Sequence, residues 1–121
     1  MHRARFLLCA AGLLAAAPAV AQTFPAKPIR VVVPYPPGAI DLYVRAMQPH
    51  LEKDFGVPVV VENRPGAAGS IATEIVARSP ADGYTLQMIA AGDAVQPALR
   101  ARLQYDLERD FAPVSQVATG L

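Results

Sequence analysis

Short, almost uninterrupted apolar stretches alternate with longer amphipathic stretches along most of the chain. Residues 29–33 (IRVVV), 59–61 (VVV) and 84–89 (YTLQMI) are rich in β-branched and aromatic side chains and predict three strands. The first two have hardly a polar position, which is typical of strands covered on both faces in a parallel sheet. A further strand is expected to begin near Val114. With helical stretches between the strands, the pattern predicts an α/β domain with a mainly parallel sheet.

The first amphipathic stretch predicts a helix that ends near Asp54. Asp41 is a good N-cap for this helix, and Gly56 suits its C-terminal exit. Apolar side chains recur at helical spacing and predict a buried face, which comprises Val44, Met47, Leu51 and Phe55. Pro49 lies inside the stretch, where a proline costs about 3 kcal/mol, so we expect it to kink or split the helix.

Two shorter helices are predicted further along the chain. The first covers residues 70–78, with Ile71, Ile75 and Val76 facing the core, and the turn SPADG at residues 79–83 ends it. The second is expected over residues 96–102.

Three unusual loops each follow a predicted strand. They are the first loop, residues 34–41 (PYPPGAID), the second loop, residues 63–69 (NRPGAAG), and the third loop, residues 90–95 (AAGDAV). Loops after parallel strands share one edge of the sheet, so we expect them to lie together, where α/β proteins bind ligands. The first two lead into helix N-termini, whose free N–H groups and positive dipole favour an anion. The alternative for the first loop is a rigid connection with an ordinary cap.

The N-terminus has the three-part pattern of a secretory signal peptide. A basic start, an apolar run and a small-residue site (AVA) assign residues 1–21 to a signal peptide and residues 22–121 to the mature chain. The alternative, a retained membrane anchor, would need a longer apolar run. Cys9 is the only cysteine and lies in the signal peptide, which leaves no disulfide or thiolate metal site in the mature chain.

Charge and polar residues argue against several other classes of protein. Beyond the signal peptide, nine Lys and Arg stand against ten Asp and Glu, so there is no basic surplus for nucleic acid. His50 has no serine or cysteine at a motif spacing, which makes an exported enzyme a distant alternative. Residues 66–69 (GAAG) lack the full dinucleotide-binding spacing, and no cluster of metal-ligand residues stands out. We therefore expect no catalytic residue, metal or cofactor.

Longer segments resemble a known family. KPIRVVVPYPPGAIDLYVR, VPVVVENRPGAAGSIATEIVARSPADGYTL and QPALRARLQYDLERDFAPVSQVA are similar to the Bug family, from about Phe24 to the last residue. These are periplasmic substrate-binding proteins of tripartite tricarboxylate transporters. The resemblance implies a type II periplasmic-binding-protein-like domain, one of two that close over a small carboxylate-bearing solute. It also implies membrane transporter subunits as partners.

The resemblance further implies that backbone N–H groups and ordered waters from the first two loops bind the carboxylate of the solute, and that the third loop belongs to the same site. The matching residues are Tyr35, Pro36, Gly38, Ala39 and Asp41 in the first loop, Gly66, Ala67, Ala68 and Gly69 in the second, and Gly92 and Asp93, flanked by Ala91 and Ala94, in the third. The chain departs from the family pattern P-P-G-G-x-[ST]-D, because PPGAID lacks one residue and a hydroxyl. Asp93 also brings a negative charge to an expected anion site.

Length is a further departure from the family. Residues 22–121 cover the N-terminal part of the first solute-binding domain, and the second domain is absent from the sequence. The leading expectation is a periplasmic carboxylate-binding protein that catalyses nothing. The alternative is a truncated remnant that binds nothing.

Overall fold

The computed structural model describes residues 23–100 and 102–119, so the predicted signal peptide lies outside the described residues. Three strands form one sheet: Ile29–Val33 (β1), Val59–Asn63 (β2) and Thr85–Gln87 (β3). Their order in the sheet is β2-β1-β3, and β1 pairs in parallel with both neighbours. The predicted α/β class with a parallel sheet is therefore confirmed.

Helices follow each of these strands. They are Ala39–Phe55 (α1), Ser70–Ala77 (α2), Ala91–Ala94 (α3) and Gln96–Leu99 (α4), and a 3₁₀ turn at Ala67–Gly69 leads directly into α2. Within the described part of the chain, no helix has both the length and the apolar character needed to cross a bilayer.

The central strand β1 is covered on both faces, as its unbroken apolar run predicted. On one face Val31 and Val33 pack with Val44 of α1. On the other face Val32, which has 0% exposure, packs with Ala72 and Val76 of α2. Fully burying one valine side chain contributes about 1.5–3 kcal/mol, so this strand is a principal source of stability in the domain.

Helix α1 begins earlier than predicted, and Asp41 is not its N-cap. Gly38 holds that position, and its carbonyl oxygen accepts a 2.9 Å hydrogen bond from the Leu42 N–H. Asp41 lies inside the first turn, where its buried carboxylate accepts hydrogen bonds from Arg45 and Asn63. The predicted cap is wrong because Asn63, on the neighbouring strand β2, binds this side chain from outside the helix.

Pro49 lies inside α1 without splitting it, so of the two expected effects, a kink or a split, the split is wrong. The residues before and after it are fastened to the neighbouring strand: the Gln48 side-chain amide donates to the Val59 carbonyl at 2.8 Å. The Glu52 carboxylate accepts from the Val59 N–H at 2.9 Å. These contacts, together with burial of Val44, offset the hydrogen bond that proline removes from the helix interior.

The remainder of α1 follows the sequence pattern closely. Gly56 ends the helix in the left-handed conformation, with φ 69°, and its N–H donates to the Glu52 carbonyl, which confirms the predicted exit. Of the predicted buried face, Val44 is buried and Met47 and Leu51 are partly buried. Phe55 remains 41% exposed, because it lies in the last turn, at the edge of the packed region.

The inward face of α2 differs from the prediction. Ala72, Thr73 and Val76 are buried, whereas Ile71 and Ile75 are 48% and 37% exposed. The small side chain of Ala72 packs directly against Val32, and this contact fixes the rotation of the helix. One residue corresponds to 100° of rotation, so the predicted face was displaced by about one position.

The C-terminal third of the chain is less regular than predicted. β3 covers only the middle of the predicted residues 84–89, α3 occupies most of the predicted third loop, and α4 ends before residue 102. No strand forms in residues 111–119, so the strand expected near Val114 is wrong for the described part of the chain. In that segment the side chains other than Phe111 are exposed, and none of the described strands pairs with it.

Candidate functional site

The three loops lie together at the carboxyl edge of the sheet, as predicted. The Tyr35 hydroxyl of the first loop donates a 2.8 Å hydrogen bond to the Asp93 carboxylate of the third loop. The Asn63 amide of the second loop donates to the Tyr35 carbonyl at 3.1 Å. Gly69 lies so close to both other loops that a Cβ added to it would come within 3.3 Å of Pro34 and 2.5 Å of Asp93. The predicted juxtaposition is confirmed, while the role of these residues in binding stays a prediction.

Asp41 is the centre of a closed polar network at the start of α1. Its carboxylate accepts hydrogen bonds from Arg45 Nε at 2.8 Å and from Asn63 Nδ2 at 2.9 Å. Arg45 in turn donates to Asn63 Oδ1 at 3.1 Å. The hydrogen bond from Arg45, then the one from Asn63, lowers the pKa of Asp41. The buried carboxylate fastens the first loop to β2, while its predicted contact with a ligand stays a prediction.

The first turn of α1 is open to solvent at the edge where the loops meet. Pro36, Gly38 and Ala39 are all exposed. Because Leu42 is the first residue to donate within the helix, the preceding N–H groups have no acceptor inside α1. They form the positive end of the helix dipole and can bind an anion, which contributes about 0.3–1 kcal/mol at an exposed terminus.

The second loop has an unusual backbone. Gly66, Ala67, Ala68 and Gly69 all have positive φ angles, of 139°, 47°, 53° and 91°. The left-handed conformation costs a residue with a side chain roughly 1–2 kcal/mol, so Ala67 and Ala68 are strained. Backbone strain of this kind is concentrated at ligand-binding and active sites.

Three hydrogen bonds hold the strained loop in place. The Gly69 N–H donates to the Gly66 carbonyl at 2.9 Å, and the Ser70 hydroxyl donates to the Ala67 carbonyl at 3.0 Å. Arg100 supplies the third, from Nη2 to the same Ala67 carbonyl at 2.9 Å. No local pattern indicates this contact, because Arg100 lies more than 30 residues beyond the loop.

Asp93 does not face the loop cluster as a free carboxylate. The residue is only 2% exposed, and Oδ2 accepts hydrogen bonds from the Tyr35 hydroxyl and from the Ala90 N–H, both at 2.8 Å. Oδ1 is buried without a hydrogen-bond partner in the described part of the chain, beside the backbone of Gly69. Gly92 is exposed, and a Cβ there would lie 3.6 Å from the Tyr35 hydroxyl oxygen.

The hydroxyl of Tyr35 is hydrogen-bonded to Asp93, so its ring is the part that remains for contacts at the candidate site. Burial, then the hydrogen bond to Asp93 and the negative charge of Asp93, raises the pKa of Tyr35 to about 12. The hydroxyl therefore stays protonated at neutral pH and donates to Asp93. Because the hydroxyl already has a partner inside the protein, only the ring of Tyr35 is free for contacts with a ligand.

Other polar residues weighed from the sequence have structural roles. Arg64 pairs with Glu62, which also contacts Arg30 at 3.3 Å. His50 is exposed on α1. Among residues 23–100 and 102–119, no three His, Cys, Asp or Glu side chains lie close enough together to hold a metal ion.

The carboxyl edge of this parallel sheet carries helix N-termini and a strained glycine loop. This is the edge at which α/β domains bind their ligands. Comparison with known proteins identifies the family. The model of the tripartite tricarboxylate transporter family receptor, TctC, matches residues 43–120, so the chain belongs to this family. The resemblance to Bug proteins is thereby confirmed, and proteins of this family are solute-binding receptors rather than enzymes.

Individual relatives agree with this assignment. Protein BugT of Bordetella pertussis is 44% identical over 105 residues, which are 84% of this chain and 32% of BugT. A solved structure described as a periplasmic transporter is 38% identical, with a TM-score of 0.60 over 69% of this chain and 29% of that one. An R. palustris protein solved with adipate is 37% identical, with a TM-score of 0.51 over 53% of this chain and 22% of that one. The chain thus spans about a third of the length of the curated relatives it matches.

Proposed function

We propose that this chain forms part of a periplasmic receptor that binds a small carboxylate-bearing solute for a tripartite tricarboxylate transporter. The observation that carries the proposal is the open first turn of α1 beside the strained second loop, at the edge where all three loops meet. The adipate found with a relative of the same family supports a carboxylate as the ligand class. Signal peptide 1–21 would deliver the protein to the periplasm, and the membrane subunits of the transporter are its partners.

The solute carboxylate binds at the N-terminus of α1. Its oxygens accept hydrogen bonds from the N–H groups of Ala39 and its neighbours in the first turn, with further donors from the backbone of the second loop at Ala67 and Ala68. Tyr35 forms an apolar wall. Asp41 holds the first turn against β2 through Arg45 and Asn63. Since a hydrogen bond to a charged group contributes about 1.5–3 kcal/mol, two or three such donors are enough for micromolar affinity when the rest of the solute is enclosed.

The carboxylate of Asp93 does not oppose this binding mode. It is withdrawn from the surface and receives two donors from within the protein, so its charge is partly compensated. The negative charge that was expected to disturb the anion site therefore accepts hydrogen bonds that join the first and third loops. The same carboxylate lies behind Gly69 rather than in front of the first turn of α1.

The test is a substitution that removes one amide donor without harming the helix. Ala39 is the first residue of α1, a position where proline is favoured because its missing N–H has no partner inside the helix. In the full-length form of the protein, Ala39→Pro is expected to weaken binding of the best organic acid by about 10- to 150-fold. Ala39→Ser, which keeps the N–H, is expected to bind within about threefold of the unaltered protein.

The measurement is isothermal titration calorimetry, after a thermal-shift screen of mono-, di- and tricarboxylates against the matching amides. Failure of every carboxylate to raise the melting temperature would refute the proposal. Equal affinity of the Ala39→Pro and Ala39→Ser proteins would remove the N-terminus of α1 from the site.

A further inference from the structure

Arg100 brings a positive charge to the second loop. Its Nη2 donates to the Ala67 carbonyl at 2.9 Å, and its Nη1 contacts the Ser70 hydroxyl oxygen at 3.3 Å. Both acceptors are neutral. A guanidinium has five N–H donors, so three remain for another group, and the side chain lies at the surface.

Most other arginines in the described residues are neutralised by a carboxylate. This holds for Arg30, Arg45, Arg64, Arg78 and Arg109. All ten acidic side chains of the chain lie in its described part, and none of them is within 4 Å of the Arg100 guanidinium. Arg100 therefore retains its full charge beside the loop where the solute is proposed to bind.

A backbone hydrogen bond anchors Arg100 and so fixes the point from which its side chain extends. Arg100 directly follows α4, and its N–H donates to the Gln96 carbonyl at 3.1 Å. Gln96 is only 6% exposed. The guanidinium thus reaches from the end of α4 to the second loop, where it donates to the Ala67 carbonyl.

The charge of Arg100 also acts on the buried side of this region. Burial raises the pKa of Tyr105, and the negative charge of Asp93 raises it further, while Arg100 and a hydrogen bond with Thr73 lower it. The charges of Asp93 and Arg100 thus shift the pKa of the buried Tyr105 phenol in opposite directions. The positive charge faces the surface, and the negative charge is enclosed.

We infer that Arg100 is a specificity-determining residue that binds the second carboxylate of a dicarboxylate, whose first carboxylate lies at the N-terminus of α1. The inference rests on the function proposed above. The first loop contacts Asp93 of the third loop, Asp93 contacts Gly69 of the second loop, and the second loop contacts Arg100, so Arg100 is joined to the same cluster of loops. A guanidinium with free N–H groups binds a carboxylate through two parallel hydrogen bonds, which suits the far end of such a solute.

The alternative for Arg100 is a purely structural tie that holds the Ala67 carbonyl. The two roles differ in which ligands they affect. A structural tie supports the whole second loop, so its loss weakens mono- and dicarboxylates alike. A contact with the second carboxylate changes the preference between them.

The experiment compares adipate with hexanoate, which has the same chain length and one carboxylate fewer. Dissociation constants are measured by calorimetry on the full-length protein and on Arg100→Gln, which can still donate to the Ala67 carbonyl. Arg64→Gln is the control, since Arg64 belongs to the same loop but pairs with Glu62. We expect Arg100→Gln to weaken adipate about 10-fold or more and hexanoate less than about threefold, because a charge-assisted pair is lost. Arg64→Gln is expected to change neither by more than about threefold.

The outcomes separate this inference from the function on which it rests. An unchanged adipate-to-hexanoate ratio in Arg100→Gln, whether both affinities fall or neither does, overturns the role of Arg100 and leaves the carboxylate receptor standing. If the unaltered protein binds other carboxylates of the screen but neither adipate nor malate, the inference fails alone. If it binds no carboxylate of the screen, the inference and the proposed function fail together.

Discussion

The hydroxyl of Tyr35 donates a 2.8 Å hydrogen bond to the buried carboxylate of Asp93, and this contact joins loops that are 58 residues apart in sequence. Asp93 also accepts from the Ala90 N–H, so the carboxylate closes the first turn of α3 while it holds the first loop. The pair shows how an acidic residue can be compatible with the proposed anion site, because its charge is shared by two internal donors.

We expect Tyr35→Phe to destabilise the protein by about 1–3 kcal/mol, because a buried carboxylate loses a donor while the ring remains. Equilibrium urea unfolding measures the change. Tyr43→Phe is the matched control, since Tyr43 is 50% exposed on α1, and it should lie within about 0.5 kcal/mol of the unaltered protein. Equal stability of the two variants would show that the hydrogen bond to Asp93 contributes nothing.

The same pair makes a prediction for alkaline pH. The pKa of Tyr35 is raised from 10.0 to about 12 in the folded protein. Below pH 10 the Tyr35 hydroxyl is protonated in both the folded and the unfolded state, and its contribution to stability is complete. Between about pH 10 and 12 only the unfolded state loses this proton, so the free energy of unfolding falls as pH rises. Urea midpoints measured from pH 9 to 12 should therefore fall less steeply for Tyr35→Phe than for the unaltered protein. Parallel curves would contradict the raised pKa.

Asp41 has the opposite dependence on pH. Its pKa is lowered in the folded protein, first by the hydrogen bond from Arg45 and then by that from Asn63. The stabilisation is present above the unfolded pKa, near 3.8, and is lost as pH falls through the lower folded value. We expect the urea midpoint of the unaltered protein to fall from pH 6 to pH 3 more than that of Asp41→Asn.

The control for this acid series is Asp54→Asn, an exposed residue near the end of the same helix. Its midpoint should follow that of the unaltered protein across the whole range. If the midpoint of Asp41→Asn also follows that of the unaltered protein, protonation of Asp41 is not coupled to folding. The network with Arg45 and Asn63 would then contribute no stability to the position of the first loop.

The strands and their common edge could be predicted from the sequence because they depend on local composition. The run IRVVV has so few polar positions that only a strand covered on both faces accommodates it, and β1 is that strand. Loops after parallel strands then share an edge whatever their sequence. The meeting of Tyr35 with Asp93 follows from this topology, although their hydrogen bond could not be named in advance.

The errors concern side chains whose partners are distant in sequence. Asp41 has the composition of a cap, but Asn63, 22 residues away, decides its position. Ala67 and Ala68 carry no signal of positive φ, since alanine is a poor choice for that conformation. The contact of Arg100 with Ala67 spans 33 residues. The local sequence pattern therefore identified the loops of the candidate site. The side-chain contacts that hold these loops in place are visible only in the folded chain.

A glycine can be required because of its positive φ or because a Cβ would have no space, and three glycines of this chain distinguish the two reasons. Gly38 has an extended backbone and its nearest atom to an added Cβ is 3.8 Å away, Gly56 has φ 69° in open space, and Gly69 has φ 91° with Asp93 Oδ1 at 2.5 Å from the added Cβ. Replacement by alanine should therefore cost at most about 1 kcal/mol at Gly38, as the N-cap of α1, about 1–2 kcal/mol at Gly56 for conformation alone, and about 2–5 kcal/mol at Gly69, where overpacking is added. Urea unfolding of the three variants measures the order. If Gly69→Ala were no less stable than Gly56→Ala, Asp93 would be free to move away from the second loop, and the close contact between the second and third loops would not constrain the site.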